Sequence, residues 1–215
     1  MVVGSDTMNR EEYVEASIWR WMFMFAHFLG FTQHISRVLS STHDISYKEF
    51  YTKFYNWMKN HPDTFLGKEM FTTKNTLSKV LKKETLWGRK VEEITGNYFW
   101  DYEEATAIKI VTNREEFDKN LRSFITSEFK NIDVSLVDDL ILFQSNISTS
   151  PFEKYPKKVP FNFNIKEVIY DNKPIKNGGH TYEFNSENWD SDVKKWCTIN
   201  MWWGRRNRRY ETSVT

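Results

Sequence analysis

The sequence predicts a mainly α fold, with a helical, bundle-like domain over about residues 9–145 and a small C-terminal β-containing appendage over about 150–215. Three observations carry this expectation. Apolar residues recur at helical spacing as far as Phe143. Capping patterns stand at several of the points where that spacing begins. After Ser148, Pro151, Pro156 and Pro160 fall within ten residues and the spacing turns to alternation. The expected division is a helical domain over residues 1–147 and a β-containing C-terminal extension over 148–215, packed on it.

The elements follow in chain order. Asn9 with Glu12 three residues on forms a capping box for a first helix. From Tyr13 onward its apolar residues occupy nearly every face, which makes it central, and Gly30 is placed to end or kink it. A second piece carries Phe31, Ile35, Val38 and Leu39 on one face. Ser46 and Glu49 form the next capping box, with Ile45 and Phe50 in the positions of a hydrophobic staple, and Pro62 closes that helix. A longer polar helix is expected over about 64–86, with Leu77, Val80 and Leu81 inward. Gly88 and Gly96 bracket a loop, and a helix is expected from Tyr98 to Val111. Asn113 and Glu116 repeat the capping pattern before Phe117, Leu121, Phe124, Ile125 and Phe129, and Asp133 to Phe143 closes the helical part.

Beyond it, Phe161, Phe163 and Ile165 alternate with Asn162 and Asn164, and Val168 to Tyr170 is expected to continue extended. Asn172-Lys173-Pro174 and Asn177-Gly178-Gly179 have turn chemistry. Tyr182 and Phe184 are expected on a return strand, and Ile199, Met201 and Trp203 on a last one.

Composition excludes several classes. The 215 residues hold one cysteine, Cys197, so a disulfide scaffold and any site with two or more cysteine ligands are excluded within the chain. Thirty Lys and Arg against 29 Asp and Glu argue against a DNA-coating protein, which needs a basic excess. Residues 1–7 lack a basic region followed by an apolar run, so a cytoplasmic location is expected. The apolar stretch Ile18–Phe31 is interrupted by Arg20 and His27 and falls short of the ~20 residues that cross a bilayer, so no membrane association is expected. Its aromatic side chains, with those as far as Trp57, are expected in the core.

Chemical motifs are few. The phosphate cradles GxGxxG and GxxxxGK[ST] are missing, as are HExxH and GxSxG. Of the five histidines only His27 and His34 share a helical region. They lie two turns apart, about 10.5 Å of rise, too far for one metal ion. Ser191 and Lys194 have SxxK spacing without its companion motifs and fit a solvated turn. Glu92-Glu93 and Glu103-Glu104 point about 100° apart on a helix and are expected on solvated faces. No catalytic, cofactor-binding or metal-ligating residue is therefore assigned.

The C-terminal segment is different. Trp202, Trp203, Arg205, Arg206, Arg208 and Arg209 stand together, and residues 193–210 hold six basic side chains and no acid. Guanidinium groups beside aromatic planes grip phosphates and stack bases, so these six residues are candidates for binding nucleic acid, another anionic ligand or a partner. The alternative is that the tryptophans pack down while the arginines pair with acidic helices.

Several segments together resemble the C-terminal region of cobalamin-binding radical S-adenosylmethionine proteins. They are Thr7-Met8, Glu11-Glu12-Tyr13, the aromatic run Trp19 to Phe28, Gly30-Phe31-Thr32-Gln33, Val137 to Gln144, and the closing INMWWGRRNRRYE. The resemblance implies an accessory domain, not catalytic by itself, that shapes a substrate pocket or docks a catalytic partner. In that family an iron–sulfur cluster, S-adenosylmethionine and cobalamin are carried by other domains. The CxxxCxxC and DxHxxG motifs that hold them are not in this sequence, so no cofactor is expected on this chain. The implied partner is a radical S-adenosylmethionine/cobalamin catalytic subunit, or a missing N-terminal half. It would dock on an exposed apolar surface. The alternative function is a stand-alone module that binds nucleic acid or another anion through the Trp/Arg-rich segment.

Overall fold

The computed structural model describes residues 8–86, 88–148, 150–186, 190–201 and 213–214. Helix α1 (Arg10–Phe23) starts at the Asn9 capping box, where Asn9 and Glu12 each bond the other's backbone N–H. It runs into a π-helical turn, Met24–Phe28, and the chain breaks at Gly30 with φ +79°. Helix α2 (Gln33–His43) buries Ile35, Val38 and Leu39 on one face and ends at Asp44 in the left-handed region. Helix α3 (Tyr47–Asn60) is capped by Ser46, whose hydroxyl accepts from the Glu49 N–H at 3.1 Å. Only that half of the expected box forms, because the Glu49 carboxylate turns to Lys53 at 2.9 Å.

Helix α4 (Phe65–Leu81) begins so close to the end of α3 that a Cβ on Gly67 would meet the His61 carbonyl oxygen at 2.0 Å, so only glycine fits there. It stops five residues before its expected end, as Lys83 takes φ +63°. The expected loop between Gly88 and Gly96 contains a two-residue strand β1 (Arg89–Lys90) and a short helix α5 (Glu92–Thr95). Strand β1 pairs antiparallel with β2 (Phe99–Trp100).

Helix α6 (Tyr102–Thr112) starts four residues later than expected, at a capping box made by Asp101 and Glu104. Glu103 and Glu104 are buried rather than solvated, because this helix lies at the centre and buries nearly all of its surface. Helix α7 (Arg114–Glu128) follows at once. Asn113 does not cap it: its amide donates back to the Lys109 carbonyl at 2.9 Å. Helix α8 (Val134–Ile147) runs four residues beyond Phe143.

Three readings of the C-terminal part are overturned. Residues 168–170 are not extended but lie in helix α9 (Ile165–Asp171). Asn164 turns the chain there: its amide bridges the Lys176 N–H at 2.6 Å and the Pro174 carbonyl at 3.1 Å. Asn177-Gly178-Gly179 is not a turn but opens strand β4 (Asn177–Asn185), which pairs antiparallel with β3 (Lys157–Phe163) across an irregularity between Phe161 and Phe163. Ile199 and Met201 are not in a strand. Asp192 caps helix α10 (Val193–Asn200) at the Lys195 N–H, 3.0 Å, and Trp196, Cys197 and Asn200 form its buried face. Trp203 lies outside the described residues. A short strand β5 (Ser213–Val214) pairs with the far end of β4.

The interior is aromatic. Phe50 and Phe54 of α3 meet Phe124 of α7 at ring-centroid distances of 5.3 and 5.0 Å. Phe143 of α8 receives Phe161, Tyr182 and Phe184 of the β3–β4 hairpin at 5.8, 6.1 and 5.8 Å. Burying aromatic rings of this size contributes roughly 1.5–3 kcal/mol each, which is what fastens the hairpin to the helices. Of the expected core aromatics, Phe28 and Tyr47 are exposed, at 64% and 43%, Trp19 and Phe23 are partly buried, and the others are buried. Among the described residues no helix is long and apolar enough to cross a membrane.

Candidate functional site

The π turn decides where the site forms. Leu29 donates to the Met24 carbonyl at 2.8 Å, five residues back, and the extra residue in that turn carries His27 round to face α3. There His27 Nδ1 stands 2.9 Å from the Tyr51 hydroxyl. The same hydroxyl lies 3.2 Å from Thr32 Oγ1 and 3.3 Å from Ser36 Oγ, so three segments converge on one phenol. Thr32 locks the break after the turn, donating from both its backbone N–H and its hydroxyl to the Ala26 carbonyl at 2.7 and 3.0 Å.

Gln144 of α8 holds the other side. Its fully buried amide donates to the Gly30 carbonyl and accepts from the His34 N–H at 2.9 Å. This fixes the entry angle of α2 and sets His34 beside α8 and α9. The His34 ring packs edge-on to Phe143 at 6.0 Å and against Tyr170 at 6.3 Å. It is 6% exposed, and neither ring nitrogen has a hydrogen-bond partner.

Between these groups lies a cavity of about 580 Å³, within the range of small-molecule sites. His27, His34, Gln33 and Arg37 supply its polar wall, and Phe23, Tyr47, Tyr51 and Tyr170 its aromatic wall. Tyr47 and Tyr170 stand half exposed at the mouth, and the exposed Phe28 lies edge-on to His27 at 5.5 Å.

Burial sets the protonation states. It lowers the His27 pKa, and together with the Arg37 charge it brings His34 down to about 4, so at neutral pH His34 is uncharged. Burial pushes Tyr51 up to about 12 against the opposing effect of Ser36 and Thr32, so it remains a neutral phenol. Among the described residues, no carboxylate, thiol or amine lines the cavity. The arrangement can bind and orient a ligand.

Two other hollows differ in kind. One of about 660 Å³ between α1 and α4 is walled by surface charges of both signs, Glu11, Glu12, Lys74 and Lys82 among them. Another of about 330 Å³ lies along α3 and α4 beside Met58 and Phe71. Neither gathers buried polar atoms without partners. A separate buried cluster is fully paired: Glu69 of α4 takes Arg89 at 2.8 Å, Lys109 at 3.1 Å and the Thr106 hydroxyl at 3.2 Å. Burial would raise the Glu69 pKa, but the two cations together hold it below the usual carboxylate value.

The six candidates of the C-terminal segment, Trp202, Trp203, Arg205, Arg206, Arg208 and Arg209, lie outside the described residues. The site residues that the sequence did not single out are Tyr51, Arg37 and Tyr170. A signal for them was present in the polar Thr32, His34 and Ser36, which interrupt the apolar face of α2. The spacing of His27 and His34 in the sequence speaks only to a shared metal ion, and excludes it. The break at Gly30 lets both face one cavity without sharing an ion.

An iron–sulfur cluster with cysteine ligands does not fit this chain. Cys197 is its one cysteine, buried on α10 with its thiol pushed up to about 12, and no group of three metal-ligating side chains exists among the described residues.

No family model matches the chain. A stretch of 67 residues, 31% of the chain, is 33% identical to a 2-(S-pantetheinyl)-carbapenam-3-carboxylate methyltransferase from Streptantibioticus cattleyicolor, a radical S-adenosylmethionine/B12-type enzyme. The match covers 10% of that enzyme's length, so the chain is partly similar to a small region of a radical S-adenosylmethionine-type enzyme.

Proposed function

We propose that this chain is an accessory, C-terminal-type domain of a cobalamin-dependent radical S-adenosylmethionine enzyme. In this reading it is not catalytic by itself, and it supplies a wall of the substrate pocket to a polypeptide that carries the cluster and cobalamin. One observation carries the reading. Gln144, the last residue of the resembling segment Val137–Gln144, holds Gly30 and His34, at and just beyond the resembling segment Gly30–Gln33. The resembling run Trp19–Phe28 supplies Phe23 and His27 to the same cavity. Segments far apart in sequence thus join at one place, and that place is a ligand-sized cavity with exposed aromatic side chains at its mouth. The partial identity to a carbapenam methyltransferase is compatible with this role, and a ring-fused carboxylate is the kind of substrate such a wall would face.

The test is reconstitution. The purified chain is mixed with the CxxxCxxC-bearing polypeptide of the neighbouring reading frame, or joined to the segment that precedes it in a longer chain. Methyl transfer is expected only from the combination, and Phe28→Ser with Tyr170→Ser is expected to weaken association. A four-iron chromophore on this chain alone, or no association between the two, would overturn the reading.

A further inference from the structure

The walls of the cavity specify a ligand more narrowly than an accessory role requires. Three features set the chemistry. Arg37 stands at the rim, exposed, and makes no ion pair among the described residues. Among the described residues, no carboxylate lines the cavity to answer that charge. Aromatic rings come from Phe23, Tyr47 and Tyr170, with the His34 ring packed against Tyr170.

Aromatic faces by themselves also suit a cation. Here a cationic ligand would meet Arg37 with no acidic side chain among the described lining residues to offset the repulsion. A polyphosphate would need several cations, and the described lining residues supply one, Arg37. A volume of about 580 Å³ takes one small molecule rather than a chain segment.

We propose that this cavity binds a small molecule with one carboxylate beside a flat apolar body, the carboxylate at Arg37 and the flat body between the tyrosines. His34 adds a reason for occupancy. A buried imidazole with neither nitrogen partnered is costly, and a polar ligand atom that reaches it past Tyr170 would remove that cost. The guanidinium offers paired N–H groups that match a carboxylate edge.

The inference rests on the reading of the cavity as a substrate wall, but its test needs no partner. The full chain is titrated with indole-3-acetate, its neutral amide indole-3-acetamide, and plain acetate, with the histidine ring signals followed by NMR. Indole-3-acetate is expected to shift the His27 and His34 signals saturably, with the amide at least about tenfold weaker and acetate without effect. Arg37→Gln should weaken the acid about tenfold and leave the amide unchanged, whereas Arg37→Lys should retain the preference for the acid. Equal binding of acid and amide, full affinity in Arg37→Gln, or no saturable shift through the millimolar range would overturn the inference. So would shifts confined to His43, His61 and His180. A chain that binds the acid but fails to reconstitute methyl transfer rejects the accessory reading alone. The opposite outcome rejects only this ligand class.

Discussion

Two of the buried polar clusters in the helical body end in opposite states. Around Glu69, the carboxylate, the Arg89 guanidinium and the Thr73 and Thr106 hydroxyls all find partners, and Trp21 Nε1 adds a donor to Thr106 at 3.1 Å. Around His34, both imidazole nitrogens stay unpartnered, and a cavity opens beside them. A closed network fixes α4, α6 and β1 against one another and leaves no group over for a ligand. An open one costs stability and leaves groups that a ligand can meet. The contrast predicts that substitutions in the first region are felt mainly in stability and those in the second mainly in recognition.

The largest effect is expected at Glu69. Glu69→Ala strands Arg89, whose side chain is almost wholly buried, and is expected to cost about 3–5 kcal/mol in urea unfolding. The double change Glu69→Leu with Arg89→Met removes the stranded charge and should recover most of that loss, since Lys109 can turn to solvent. A double variant no more stable than Glu69→Ala would show that the network is not closed in the way described.

Acid separates the two regions. His34 has a folded pKa near 4 against an ordinary 6.5, so below pH 6.5 the unfolded chain takes up a proton that the folded chain refuses. Stability is therefore full above 6.5 and falls as pH drops towards 4, by roughly 3 kcal/mol at most. His34→Leu should flatten this segment of the profile. Glu69 works in the other window. Its pKa is held below 4.5, so its contribution is present above 4.5 and is lost only as pH falls through the lower folded value. Thermal unfolding across pH 7 to 3 reads both. A wild-type profile flat from 6.5 to 4.5 would contradict the buried, unpartnered state of His34.

A smaller loss is expected at the centre of the cavity. In Tyr51→Phe the Thr32 and Ser36 hydroxyls keep their bonds to the Ala26 and Gln33 carbonyls, and only His27 Nδ1 loses its partner. The expected cost is about 1 kcal/mol, with the His27 ring signal shifting towards that of a free imidazole.

The sequence disclosed these two regions unequally. Helices with one apolar stripe and a side-chain cap, such as those begun by Asn9 and Ser46, were legible because both signals are local. Asn113 carried the same letters but spent its side chain on the preceding helix, a choice made by the short α6–α7 connection rather than by the motif. The glutamates of α6 gave no sign of burial, because their setting is supplied by Arg20 and other distant residues. The alternation around Phe161 marked a strand, yet Asn164 ended it through bonds to residues ten and twelve positions on. The cavity was the least legible feature. It depends on a π turn, a break at Gly30 and an amide from residue 144, and none of these has a periodicity to read.

The smallest expected effect bears most directly on the contrast. Arg37 is exposed and makes no ion pair among the described residues, so Arg37→Gln should change unfolding stability by no more than about 0.5 kcal/mol at neutral pH. Its sign is favourable if anything under acid, because the Arg37 charge helps to depress the His34 pKa. Removing it lets that value rise towards 6.5 and shortens the window over which stability is lost. Chemical denaturation at pH 7 and pH 5 measures both quantities on one pair of proteins. A residue that holds a network together behaves like Glu69 and cannot be removed without unfolding. If Arg37→Gln costs several kcal/mol, then Arg37 belongs to the architecture and the cavity rim is a second closed cluster. If it costs almost nothing while the acid ligand is lost, its charge has no work in the folded chain except towards what the cavity receives.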